Sequence, residues 1–316
     1  MLFFDRIGVD QLMSEKDNNN KKHLNVKNFI FFILICFFLS GGIYFGIAAL
    51  SDYFSYKSAR DTWNDIKDEA YDPNYVPDPD SYYNVPEDVD TDNKKSDDTK
   101  KDDPNKDMLI KIDFDFLHNK NKDVCMWIKI PDTQVDYPVM QEPVYPLSSD
   151  LSEPEYLHKD IYKNYSVAGS LFMTATCKDV ENVAHRVIFG HNMQDGSMFA
   201  CLSKYKDKDF YQSHQYFYIY YPDRTEKYRV CAAAHVNDES DVYKAPYRLG
   251  TSDYRSLLDY LAKVSYYDMD VTLKDNKPLL TLSTCDWTSH DDGGRIIVTG
   301  ILCDTLYWTE TETGGE

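Results

Sequence analysis

Between Phe29 and Leu50 the chain reads FIFFILICFFLSGGIYFGIAAL, 22 residues without a charged side chain. At 1.5 Å per residue, a helix of that length spans about 30 Å, the thickness of a bilayer's hydrocarbon core. A core helix of a soluble protein rarely runs so far without one polar face. Ala48 and Ala49 would suit a cleaved signal peptide, but the run exceeds the usual apolar region of roughly 7–15 residues. A retained membrane anchor over 29–50 is therefore expected. Arg6, Lys16, Lys21, Lys22 and Lys27 precede it, whereas Asp52, Lys57, Arg60 and Asp61 follow with mixed sign. The positive-inside tendency then makes residues 1–28 a cytoplasmic tail and sets everything after residue 50 outside the cell membrane.

Residues 51–107 read as an extracellular acidic linker. Its first part, Tyr56 to Ala70, has Trp63 and Ile66 three apart, a weak signal for a short helix. From 72 onward come acids and prolines with almost no aliphatic side chains. Such a segment cannot bury enough area to offset its chain entropy, so an extended, flexible, self-repelling stalk is expected.

Charge narrows the choice of partners. With 34 Lys+Arg against 53 Asp+Glu the formal charge is −19, which disfavours binding to nucleic acid or broad adhesion to anionic lipid. Seven Cys without a Cys-x-x-Cys pair indicate neither a disulfide scaffold nor a structural zinc site.

From 108 to 316 the chain is globular in composition. MWIKI (126–130), VDYPVM (135–140), GSLFM (169–173), HRVIFG (185–190), QYFYIYY (215–221), EKYRVCAAAHV (226–236), KPLLTLSTC (277–285) and GRIIVTGIL (294–302) are rich in β-branched and aromatic residues. Turn residues separate them, as between strands. Ser252 to Val264 carries Tyr254, Leu257, Leu258, Leu261 and Val264 at helical spacing, with Ser252 as the expected N-cap. About eight strands with one inserted helix indicate a mainly β fold, a closed or half-closed barrel.

Three chemically capable side chains fall at strand ends. Cys285 closes an alternating run in which Leu280, Leu282 and Thr284 share one face and Thr281, Ser283 and Cys285 the other. Arg295 opens the next apolar strand ten residues later, so a hairpin would set guanidinium and sulfur side by side. His191 follows Val187, Ile188, Phe189 and Gly190, on a loop at a strand mouth. Each alone is ordinary: a small buried thiol, a solvated rim Arg, a loop His. Together, thiol, imidazole and guanidinium are the parts needed for covalent acyl transfer.

These segments carry a resemblance. TLSTCDW (281–287), GRIIVTG (294–300), FGHNMQDGSMFACLSKYKD (189–207), IKIPDTQVDYPVMQ (128–141), EYLHKD (155–160) and AGSLFM (168–173) are similar to class B sortases, in family order, over about residues 108–304. The anchor and stalk also match that family. The resemblance implies a closed eight-stranded β-barrel with peripheral helices and a membrane-anchored cysteine transpeptidase. Cys285 would be the nucleophile, His191 the general acid/base, and Arg295 the stabiliser of the oxyanion. Such enzymes cleave a C-terminal sorting motif of secreted proteins after its Thr and hold the product as a thioester. An amine of the cell-wall peptide or its lipid-linked precursor then takes it. No cofactor and no metal are implied.

Ser283 and Thr284, flanking the nucleophile, are candidates for binding substrate backbone, and Leu157 and Tyr243 match positions that line the family's peptide groove. Helix 252–264 corresponds to the extra helix beside that groove. Class B relatives usually carry an Asn shortly before the Tyr-Leu pair, whereas this chain reads SSDLSEPEYL with Glu153 nearest, which implies a different motif preference. His158 and Phe189 also depart from common family choices. Cys36 lies in the apolar run; Cys125, Cys177, Cys201, Cys231 and Cys303 are expected to be unpaired, and His185, His214, His235 and His290 structural or exposed. Two other readings stand beside the transpeptidase: a non-catalytic binding module on a stalk, and a hydrolytic cysteine peptidase.

Overall fold

β-branched and aromatic residues dominate the segments read above as strands, and in the computed structural model each of the eight forms one. The structure describes residues 26–71, 75–78, 81–84, 106–143, 154–174, 183–244, 246–286 and 293–309. Strands are β1 (Tyr82–Asn84), β2 (Val124–Lys129), β3 (Asp136–Gln141), β4 (Leu171–Met173), β5 (His185–Phe189), β6 (Tyr216–Tyr220), β7 (Arg224–Asn237), β8 (Leu279–Cys285) and β9 (Gly294–Trp308). Helices are α1 (Val26–Ala70), α2 (Phe114–Lys120), α3 (Lys208–Ser213) and α4 (Ser252–Val264).

Hydrogen bonding runs β9-β7-β6-β2-β3-β4-β5-β8, and β8 pairs back onto β9, which closes an eight-stranded barrel. Closure removes the free sheet edges that such apolar strands would otherwise expose. β3–β4 and β5–β8 are parallel, and the other pairs are antiparallel. β9 runs past the expected Leu302 to Trp308, where β1 adds as an outer strand.

The buried side chains form two clusters. Trp127, Ile128, Val139, Leu171, Ile188, Phe217, Leu280, Leu282 and Val298 fill one cluster. The other holds Ala232, Ala234, Val236, Leu279, Ile297 and Ile301 against Tyr254, Leu257, Leu258 and Leu261 of α4. Alanines on β7 leave the room that this helix occupies. Its N-cap is Thr251 and not Ser252: Thr251 has extended backbone, and its side chain accepts from Tyr254 N. Ser252 already lies in the first turn, where a hydroxyl cannot cap.

α1 begins with the apolar run, whose large side chains from Phe29 to Leu50 are exposed. Among the described residues it is the one helix long and apolar enough to cross a membrane. The compact unit that holds the barrel begins at Ser55, so its boundary lies well before 108. Ala59, Trp63, Ile66 and Ala70, spaced four, three and four apart, form one buried face of α1 in this unit. Trp63 meets Tyr137 edge-on at 6.2 Å between centroids. Buried Asp136 ties this end of the helix to the barrel: Tyr71 Oη and Trp127 Nε1 each donate to its carboxylate at 2.7 Å, and Lys67 Nζ lies 3.1 Å away. The flexible stalk expected over 72–107 lies mostly outside the described residues, as does the tail up to residue 25.

If Trp63 is part of the core, Trp63→Ala in a fragment beginning at Ser55 should cost about 3 kcal/mol or more, read as a lower urea midpoint.

Candidate active site

Cys285 is the last residue of β8 and sits directly opposite Arg295 in the antiparallel pairing with β9. Directly opposed residues project to the same face of a sheet, roughly 5 Å apart at Cβ. Thiol and guanidinium therefore enter one groove. Inward Leu280 and Leu282 pin this register, because a slip of one residue would send them outward.

β5 runs parallel to β8 on its other side, with Phe189 paired to Ser283. Parallel strands end at the same edge, so the residues after Phe189 emerge beside Cys285. Gly190 N donates to Ser283 O at 3.1 Å, and the Asn192 side chain donates to Cys285 O at 3.0 Å. Gly190 is required for space and not for an unusual turn: a Cβ there would overlap Leu171 and come within 2.9 Å of Phe199. Phe199 N bonds His191 O at 2.9 Å, which folds the loop back on itself.

A groove of about 240 Å³ results, lined by Pro154, Leu157, Phe172, Thr174, Phe189, Gly190, His191, Ser283, Thr284, Cys285 and Arg295. The three side chains singled out at strand ends thus share one cleft. His191 Nε2 donates to Leu157 O at 2.8 Å, since a carbonyl can only accept, and this leaves the lone pair on Nδ1. Burial pulls the proton affinity of His191 below its ordinary value; the Leu157 carbonyl opposes that and neighbouring His158 adds to it. Arg295 Nη1 donates to Gly294 O at 3.2 Å.

The Leu157 carbonyl is held by residues far apart in sequence. The Glu142 carboxylate accepts from the backbone N–H groups of Glu155 and Tyr156, at 3.1 and 2.8 Å. Gly169, at φ +55°, packs under the same turn, where a Cβ would overlap the Leu157 carbonyl oxygen. Sequence reasoning assigned Leu157 a groove-lining side chain and missed its carbonyl, Glu142 and Gly169. An AGS run before a strand was the one available signal.

Of the substrate-binding candidates, Leu157, Ser283 and Thr284 line the groove, and Tyr243 is not among its lining residues. Tyr243 stands behind it, its hydroxyl 2.8 Å from Ser283 Oγ and its ring stacked on Phe189 at 5.9 Å. Burial pushes the Tyr243 hydroxyl up to about 12. Thr284 is buried, and its hydroxyl has no hydrogen-bond partner among the described residues. Burial also pushes the Cys231 thiol up to about 12 and that of Cys201 to about 11, which keeps both protonated. His235 pairs with Asp286 at 3.1 Å. Cys177, His290 and Glu153 lie outside the described residues.

Comparison with known proteins identifies the family. The family model for the sortase domain matches residues 128–302, more than half of the chain. Sortase B of Listeria monocytogenes is 34% identical over 192 residues, covering 59% of this chain and 72% of that protein. The structure of Clostridium perfringens sortase B superposes with a TM-score of 0.53 at 26% identity, covering 61% of this chain and all of that one. A Staphylococcus aureus sortase B–substrate complex gives 0.51 at 25% identity, covering 60% and 84%. The chain belongs to the sortase family, and within it to class B. Cell-wall cysteine transpeptidases are the enzymes of that family.

His185 gives this region a pH signature. It is fully buried, with Nε2 2.8 Å from Thr281 Oγ1, and burial lowers its pKa from 6.5 to about 3. Between those values the unfolded chain binds a proton that the native state refuses. Stability should therefore fall as pH drops from about 6.5 toward 3, by up to about 1.4 kcal/mol per pH unit for one proton. Urea unfolding at several pH values should show that dependence, and His185→Gln should flatten it.

Proposed function

We propose that the chain cleaves a C-terminal sorting motif of secreted proteins after its Thr, forms a thioester on Cys285, and transfers the acyl group to an amine. The acceptor would be the cell-wall peptide or its lipid-linked precursor. The register that opposes Cys285 to Arg295, with His191 delivered beside them by β5, is the observation that carries this reading. The Staphylococcus aureus relative in complex with a substrate supports it by likeness.

Each residue has a physical task. Neutral His191 takes the Cys285 proton as sulfur attacks the Thr carbonyl carbon, and the resulting imidazolium protonates the departing amine. The incoming amine then gives a proton back to His191 as it displaces the thiol. Arg295, lining the groove, stabilises the oxyanion in both halves, typically worth about 3 kcal/mol for a well-placed donor. Apolar Pro154, Leu157, Phe172 and Phe189 hold the motif, with Ser283 and Thr284 lining the same groove. The apolar part of α1 serves as a single-pass anchor, with the N-terminus cytoplasmic and the barrel extracellular, as the preceding Lys and Arg residues favour.

Purified protein from Ser55 onward, given motif peptides and an amine such as triglycine, should release product faster with the amine than without. Cleavage in water that amines do not affect would identify a hydrolytic peptidase instead. Cys285→Ala and His191→Ala should abolish turnover, and Arg295→Ala should lower it by about 10²-fold or more, as measured by chromatography of the products. Full activity in any of the three removes that residue from the mechanism.

The low proton affinity of His191 fixes the acid side of the pH profile. Activity should be lost as pH falls through the His191 pKa, so the acidic inflection of kcat/KM should lie below the ordinary 6.5.

A further inference from the structure

His191 is contacted from two directions by one turn. Within its plane, Nε2 donates to Leu157 O at 2.8 Å; against its face lies the ring of the next residue, His158, stacked at 5.3 Å and 27°. A single in-plane hydrogen bond leaves an imidazole free to rock about that bond. A ring on the face removes this freedom. His158 is in turn backed by Tyr165, with 6.2 Å between centroids and an angle of 30°.

We propose that His158 is a positioning residue for His191: its ring fixes the imidazole plane while the Leu157 carbonyl fixes the in-plane direction. This rests on the reading of His191 as the acid/base. The turn has the rigidity for the task, because Glu142 holds Glu155 and Tyr156, and Ser166 N and Ser170 N bond the carbonyls of His158 and Tyr156 at 2.9 and 3.0 Å.

The stack has an electrical consequence. Two imidazoles face to face do not both charge easily, so a protonated His158 opposes the imidazolium that His191 must form. Among the described residues, the other titratable or charged groups near His191 are Cys285 and Arg295, which share its groove, and Tyr243, behind Phe189 and Ser283. The Glu155–Lys159 pair lies on the His158 segment itself. His158 is the one of these stacked on the His191 ring.

Two substitutions separate ring from charge. His158→Ala removes both and should lower kcat about tenfold with KM changed less than twofold, since a misaimed proton carrier affects turnover rather than binding. His158→Phe keeps a ring without a charge. It should recover most of that kcat and move the acidic inflection of kcat/KM upward, toward 6.5. Titration of the His191 ring by NMR should show the same upward shift in His158→Phe. That reading is independent of turnover, and it survives even if His158→Ala fails to fold. Wild-type kcat in a folded His158→Ala protein, no recovery with Phe, or an unmoved His191 titration would each overturn the proposal. Retained activity in Cys285→Ala would instead sink the transpeptidase mechanism and leave the NMR result standing.

Discussion

β8 is the strand on which the site depends, because it is hydrogen-bonded on both sides to strands that end at the same edge. On one side the antiparallel ladder with β9 sets Cys285 against Arg295; on the other the parallel ladder with β5 releases the chain at His191. A one-residue slip of either ladder would move Leu280 and Leu282 out of their cluster and turn Cys285 away from the groove. The hydrophobic core thus holds the chemistry in register. The same barrel closure that protects the sheet edges creates the cleft.

Around this frame, buried polar groups aim the side chains. Glu142 and Gly169 present the Leu157 carbonyl, which sets the tautomer of His191. Removal of the imidazole from solvent lowers its proton affinity, which favours the neutral form that the proposed mechanism requires. The buried thiols at Cys201 and Cys231 are pushed the other way by the same desolvation. One physical effect, burial, thus favours the uncharged form of both the imidazole and these sulfurs.

Asp136 shows the same principle at a distance from the cleft. A buried carboxylate needs partners, and it finds them in Trp127 of the barrel and in Tyr71 and Lys67 at the end of α1. The segment after the apolar run, where Trp63 and Ile66 gave only a weak helical signal, is thereby part of the folded unit.

Periodicity and residue type in the sequence were enough to reveal the apolar span, the eight barrel strands and α4, because those signals depend on neighbours a few residues away. The ten-position spacing from Cys285 to Arg295 made a hairpin legible for the same reason. Short-range signals state which face a side chain takes, but not which strand lies alongside. The parallel β5–β8 pairing, the addition of β1, the approach of Glu142 and Gly169 to Leu157 and the stacking of His158 on His191 all join residues decided by closure of the barrel. Only the tertiary structure could bring these together, since the contacts arise from packing and hydrogen-bond satisfaction between segments that carry no local record of one another.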